Sequence, residues 1–188
     1  MHAQVKQLNE VARIITGVAE DRGVTSGIRY YYIQPNSYDD LGDAKGLSQI
    51  IRKEPVKAEQ IVCAGDVLIK RLNPNFPYLV QSPPRQAVVS TNLFIIRPIA
   101  TIYPAYLAFL FEQPGIMEQI EHLCGASAVI KAISAKKLMG ISIQIIPSEK
   151  QKLLGDLWLL KRRRKKLLNE YMVENERLLI ATARRFVN

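Results

Sequence analysis

The rhythm of hydrophobic and polar positions changes near Pro147. Before it, apolar residues come in short runs bounded by Gly, Pro or Asn; after it, they recur at intervals of three and four with no further proline. The early runs read as strands over residues 11–15, ending near Gly17; 28–33, ending at Pro35; and 67–69, entered from a Gly65-Asp66 turn. Residues 88–97 read as one further strand stopped by Pro98, and the alternation over 141–145 suits an edge strand. Residues 104–111 and 115–123 read as helical pieces broken by Gly125, and 134–139 as a short helical turn. Strands and helices do not alternate regularly, and no segment repeats. The expectation for residues 1–147 is an α+β domain with a mixed sheet and short helices.

Residues 148–186 read as one long helix whose only glycine is Gly155. Ser148 and Gln151 have capping-box spacing directly after Pro147. Leu153, Leu157, Leu160, Leu167, Tyr171 and Leu178 then follow a coiled-coil seam, interrupted by Arg164 and Glu174. An oppositely directed partner helix can set such charges against one another. The rod would be roughly 57 Å long. Residues 148–188 are therefore expected to serve dimerisation and spacing, with packing of the helix on its own domain as the alternative.

Charge sharpens this division. The chain has 188 residues, enough for one domain with an appendage, and a formal charge of +9. The last 40 residues carry 11 Lys or Arg against 5 acids, so most of the excess lies in the helix. Residues 161–166 are six consecutive cations. Such a run points around the whole helix; it reads as a solvated stretch balanced by Glu170, Glu174 and Glu176, as a grip on phosphates or an acidic protein surface, or as a localisation-like basic stretch. Arg162, Arg163 and Lys165 are the candidates for docking a partner.

Several classes drop out. Cys63 and Cys124 form no CxxC pair and read as buried thiols of a reducing cytoplasm. The opening MHAQVKQLNEVARI lacks the basic segment and long apolar core of a signal peptide, and the longest apolar run is too short to span a bilayer. With only His2 and His122, a His/Cys metal site is not expected. Asp39, Asp40 and Asp43 read as a loop rather than as metal ligands. Asn73-Pro74-Asn75-Phe76 is similar to the [DNS]-PP-[YFW] motif of amino-methyltransferases, but its second proline is replaced and no GxG turn for a nucleoside cofactor exists. No phosphate loop or nucleophile elbow is present either. Catalysis has no foothold.

The order of segments resembles a target-recognition module of the specificity subunit of type I restriction-modification systems. The matching pieces are QLNEVARIITG, EQIVCAGDVLIKR, STNLFIIRP with YPAYLAFLF, then Gly125, Ile130, Ile133-Ser134, Lys137-Leu138 and ISIQIIPSEKQ. The family's I-P-x-P-x-x-E-Q pattern stands here as Ile146-Pro147-Ser148-Glu149-Lys150-Gln151, with the second proline and the Glu replaced. The resemblance implies a non-catalytic reader of double-stranded DNA that binds no cofactor itself. Its implied partners are methyltransferase subunits using S-adenosylmethionine for adenine N6 methylation, and an ATP-dependent motor-nuclease subunit. The family's usual subunit has two recognition domains and two helices, so this chain resembles a half subunit. A homodimer would restore the architecture and read a palindrome split by a spacer. A free-standing DNA-binding or regulatory protein, able to exchange with endogenous specificity subunits, is the alternative. Loop chemistry makes Lys70, Arg71, Asn73, Asn75, Arg85, Gln86, Ser127 and Lys131 the candidate DNA contacts, since Arg pairs with guanine and Asn or Gln with adenine.

Overall fold

The computed structural model describes residues 4–38, 45–125 and 131–187. It is α+β, with three small sheets and one long terminal helix. Strand β1 (Gln4–Gln7) runs into helix α1 (Leu8–Val11) and strand β2 (Ala12–Thr16). Strands β3 (Ile28–Ile33), β4 (Ser48–Arg52), β5 (Val67–Lys70), β6 (Tyr78–Leu79), β7 (Ala87–Val89) and β8 (Leu93–Pro98) follow. Helices α2 (Pro104–Phe111), α3 (Pro114–Cys124) and α4 (Ala135–Met139) precede strand β9 (Ser142–Ile145) and helix α5 (Ser148–Val187).

The layers follow from alternation within each strand. The central sheet has the order β2-β8-β5-β6 and is antiparallel. Val67, Ile69, Phe94 and Ile96 point to one face, where they join Tyr106, Leu107, Phe111, Ile120 and Leu138 of the helices in the main core. Leu68, Leu93 and Ile95 point to the other face and meet Ile33, Ala87 and Val89 of the second sheet, ordered β4-β3-β7. On the far side of that second sheet, Tyr30, Tyr32 and Val88 form a third small cluster with Val18 and Ile50, leaving Tyr31 exposed. Among the described residues strand β9 pairs only with β1, as the edge pattern anticipates.

Two sequence expectations are corrected here. Residues 88–97 are two strands in different sheets, because the Thr91-Asn92 turn lets the chain cross from β7 to β8. The turn is closed by Leu93 N–H donating to the Ser90 carbonyl at 3.0 Å and Asn92 N–H donating to Ser90 Oγ at 3.3 Å. The cysteines are not buried: Cys63 is exposed and Cys124 half-buried, both as free thiols. Desolvation nonetheless pushes the Cys124 thiol up from its ordinary pKa.

Gly17 locks the sheets together. Any Cβ there would lie 2.0 Å from the Ser90 carbonyl oxygen, so only glycine allows Val18 N–H to reach the Val89 carbonyl at 2.8 Å. Asp66 and Arg97 fix the opposite end of the central sheet. Arg97 Nε and Nη2 each donate at 2.8 Å to the almost fully buried Asp66 carboxylate, which also accepts from Cys63 N–H at 2.7 Å.

Helix α5 runs about 60 Å. Its first turns pack on α2 through Gln151, Gly155 and Trp158, spaced four and three apart on one face. Gln151 does not close a capping box with Ser148. It is 2% exposed, and its amide is spent elsewhere: Oε1 accepts from Tyr103 N–H across the interface at 2.9 Å, and Nε2 donates back to the Ile146 carbonyl at 2.8 Å. Beyond Arg162, nearly every position of α5 is exposed.

Candidate nucleic-acid interface

Sheet topology brings the polar loops to one end of the sandwich. Thr16 pairs with Phe94 and Lys70 with Leu93, so β2 and β5 end beside the start of β8. Parallel pairing of β3 with β7 puts Ile33 beside Val89 at that same end. The segments that leave there carry Gln34 and Asn36, Lys70 to Phe76, Thr91 and Asn92, and Lys131.

Backbone pairing makes these loops one surface. Arg71 N–H donates to the Asn92 carbonyl at 2.8 Å, and Ile133 N–H to the Arg71 carbonyl at 3.0 Å. Leu72 bridges Ala132, and Asn73 N–H donates to the Lys131 carbonyl at 2.7 Å. Lys131 N–H returns a bond to Asn73 Oδ1 at 3.3 Å. With their backbones fixed in this way, the Arg71, Asn73, Asn75 and Asn92 side chains remain exposed. Lys131 is committed in part to an ion pair with Glu121, which holds that exposed carboxyl below its ordinary pKa.

Two residues on the rim have left-handed backbone. Asn73 has φ +47°, a conformation its short polar side chain tolerates. Phe76 has φ +54° while 49% exposed, an expensive conformation for a bulky residue and an open position for an aromatic ring. Phe76 lines a narrow cleft with Lys70, Tyr78, Pro35 and Arg162. Tyr38 stacks on Tyr78 at the cleft wall, with ring centroids 3.5 Å apart; burial and the neighbouring Tyr78 hydroxyl push the Tyr38 hydroxyl well above its ordinary pKa. A wider, open depression beside it is lined by Arg22, Gln34, Asn36, Thr91 and Asn92.

Of the sequence-predicted contacts, Lys70, Arg71, Asn73, Asn75 and Lys131 are brought together here. Arg85 and Gln86 are not: they precede β7 and lie at its other end, where Tyr31 N–H donates to the Gln86 carbonyl at 3.1 Å. Ser127, Asp39, Asp40 and Asp43 lie outside the described residues. Sequence reasoning missed Thr91 and Asn92, which it placed inside a strand, and Phe76, whose signal was the NPNF turn itself.

The cationic run divides. Arg162 is turned inward: Nη1 lies 2.8 Å from Glu112 Oε1 and 3.4 Å from the Pro77 carbonyl, and the guanidinium sits 4.8 Å from the Trp158 ring centroid. Arg163 and Lys165 are exposed. Leu153, Leu157, Leu160, Leu167, Tyr171 and Leu178 are all between 52% and 66% exposed. Among the described residues no group of three or more His, Cys, Asp or Glu could hold a metal ion, and no helix is long and apolar enough to cross a membrane.

No protein-family model matches the sequence, and no curated protein matches it. Solved structures do. A chain from a structure of type I restriction-modification system assembly and conformational transition superposes with a TM-score of 0.70 at 19% identity. It is matched over 96% of this chain and 48% of its own length. The HsdS subunit from Thermoanaerobacter tengcongensis gives 0.66 at 19% identity, again over 96% of this chain and 48% of that one. The fold is that of type I specificity subunits. The S subunit of the M. genitalium type I system extends the likeness, with a TM-score of 0.62 at 11% identity over 94% of this chain and 43% of that one. The chain therefore spans about half the length of the chains it matches, and a match over 96% of this chain takes in both its globular layers and its long helix.

Proposed function

We propose that this chain is a non-catalytic, sequence-specific DNA-recognition subunit that directs a type I adenine-N6 methyltransferase and restriction complex, acting as a half subunit. The observation that carries the reading is the specificity-subunit fold, matched over nearly all of this chain but only half of its neighbours. A second copy then supplies the second reader, and the target is a palindrome interrupted by a spacer. The exposed rim of Arg71, Asn73, Asn75 and Asn92 supports the reading, because Arg and Asn side chains on a rigid backbone suit base edges in the major groove. Modest charge on the globular part fits base reading with limited phosphate grip.

In this reading the chain binds no cofactor. S-adenosylmethionine belongs to the methyltransferase subunits and ATP to the motor-nuclease subunit, and the complex works in the cytoplasm. The test is coexpression with type I methyltransferase subunits, followed by genome-wide mapping of methylated adenines. The expected result is a two-part palindromic site absent without this chain. Methylation unchanged by its presence would overturn the reading, as would methylation by the purified chain alone.

A further inference from the structure

Helix α5 carries two faces with opposite fates. Gln151, Gly155, Trp158 and Arg162 turn toward the chain's own domain, while Leu153, Leu157, Leu160, Leu167, Tyr171 and Leu178 form an uncovered stripe around the other side. Two charges interrupt that stripe. Glu174 is 67% exposed and accepts from Arg177 at 2.6 Å, which leaves most of its carboxylate open; Arg164 makes no ion pair among the described residues.

We propose that two copies of this chain pair through this stripe in one antiparallel register centred on Asn169, with Arg164 of each copy opposite the partner's Glu174. The inference rests on the two-fold reading above and deepens it by fixing the register. Centring on Asn169 brings Leu167 against the partner's Tyr171, Leu160 against the partner's Leu178, and Leu157 against the partner's Ala181. The apolar layers between Leu157 and Ala181 then meet apolar layers, Leu153 at the end of the stripe faces the partner's Arg185, and the two misfit charges meet each other twice by symmetry.

Neighbouring registers fail on the same residues. A slide of one heptad one way sets Glu174 against the partner's Leu157; a slide the other way sets it against the partner's Tyr171. Either leaves a carboxylate desolvated against an apolar side chain. The flank next to the seam agrees, because Leu168, 51% exposed, approaches the partner's Leu168 across the axis. On the other flank Glu170 approaches the partner's Glu170, each drawn toward its own Lys166 at 3.9 Å.

Charge exchange in the full chain tests the register. Arg164→Glu alone and Glu174→Arg alone should each raise the dimer dissociation constant about tenfold or more in sedimentation equilibrium, while the double exchange returns it close to that of the parent. Residues 164 and 174 are nearly three turns apart on one helix, so restoration requires contact between copies. In a background with Cys63 and Cys124 replaced, Leu168→Cys should oxidise to a disulfide-linked dimer. A parent that stays monomeric at micromolar concentration refutes the two-fold reading itself. A dimeric parent with no rescue by the double exchange, or with no Leu168→Cys cross-link, refutes this register alone.

Discussion

The Arg162 guanidinium lies over the Trp158 ring, 4.8 Å from its centroid, one helical turn further along α5. The same group pairs with Glu112 at the end of α2 and reaches the Pro77 carbonyl behind the Asn73–Phe76 loop. One side chain thus ties the long helix, the helical layer and the candidate reading rim together. A cation from the middle of a basic run is here an internal brace.

Arg162→Ala should therefore cost stability, by about 1–3 kcal/mol, through the lost ion pair and cation–π contact in a partly buried site. Arg163→Ala and Lys165→Ala, both at exposed positions, should stay within about 0.5 kcal/mol. Urea denaturation followed by circular dichroism checks the contrast; equal effects at all three positions would show that the brace contributes nothing.

Gly155→Ala sets two effects against each other. Alanine is better than glycine in a helix by about 1 kcal/mol. Its Cβ, however, would stand 2.7 Å from Tyr103 ring carbons and 2.8 Å from the Tyr106 backbone nitrogen. Backbone cannot yield as a flexible side chain does, so overpacking wins and the expected net loss is about 1–2 kcal/mol. Stabilisation in the same denaturation assay would mean that α5 and α2 slide apart freely.

On the rim, Arg71→Ala and Asn75→Ala should each weaken binding to the mapped target by about 1–3 kcal/mol while changing nonspecific binding little. Lys131→Ala should do less, since its charge is shared with Glu121. Arg85→Ala, at the far end of β7, should fall below both. Fluorescence anisotropy on the assembled methyltransferase complex separates these outcomes.

Phe76→Gly isolates strain from contact. Removing the ring relieves a left-handed bulky residue but adds freedom to the unfolded chain, so stability should change by no more than about 1 kcal/mol. Specific DNA binding should nevertheless fall if the exposed ring touches a base. Unchanged affinity with unchanged stability would exclude Phe76 from the interface.

The anchor of α5 also predicts a pH response. Hydrogen bonds from Lys152 at 2.7 Å and from the Tyr103 hydroxyl at 2.7 Å hold the Asp156 carboxyl below its ordinary pKa. Its stabilising effect is present above the ordinary Asp value of about 4 and is lost as pH falls through the lowered one. The same contacts raise the Tyr103 hydroxyl and the Lys152 ammonium. Their effect is present below about 10 and is lost as pH rises through the raised values. Asp156→Asn should thus flatten both limbs of a Tm-against-pH profile; a profile that keeps its shape would show that these exposed contacts are energetically silent.

Much of this architecture was legible in local patterns. Strands β2, β3 and β5 and helices α2, α3 and α5 follow from periodicity, proline and glycine, because those signals act within a few residues. What escaped depended on distant partners. Thr91 and Asn92 sit in a β-rich run, and only the pairing of β7 with β3 and of β8 with β5 turns them into a corner. Gln151 has capping-box spacing, yet the backbone N–H of half-buried Tyr103 claims its amide oxygen. Arg85 and Arg71 look equivalent in sequence; strand direction alone separates their ends of the fold. The short strands β4 and β6 lacked any clear alternation.

The position of Trp158 on α5 sets a distance. It is the last aromatic anchor on the home domain, and it stands eleven residues before Asn169, on which the inferred register is centred. Two such anchors in antiparallel helices lie about 33 Å apart along the rod. One turn of B-DNA is about 34–36 Å, so the helices would space the two anchors by about one turn of the duplex. Seven residues added to each helix at its midpoint would move the anchors about 10 Å further apart and lengthen the spacer by about three base pairs, leaving both half-sites unchanged. The exposed stretch of helix is then a ruler whose graduations are heptads.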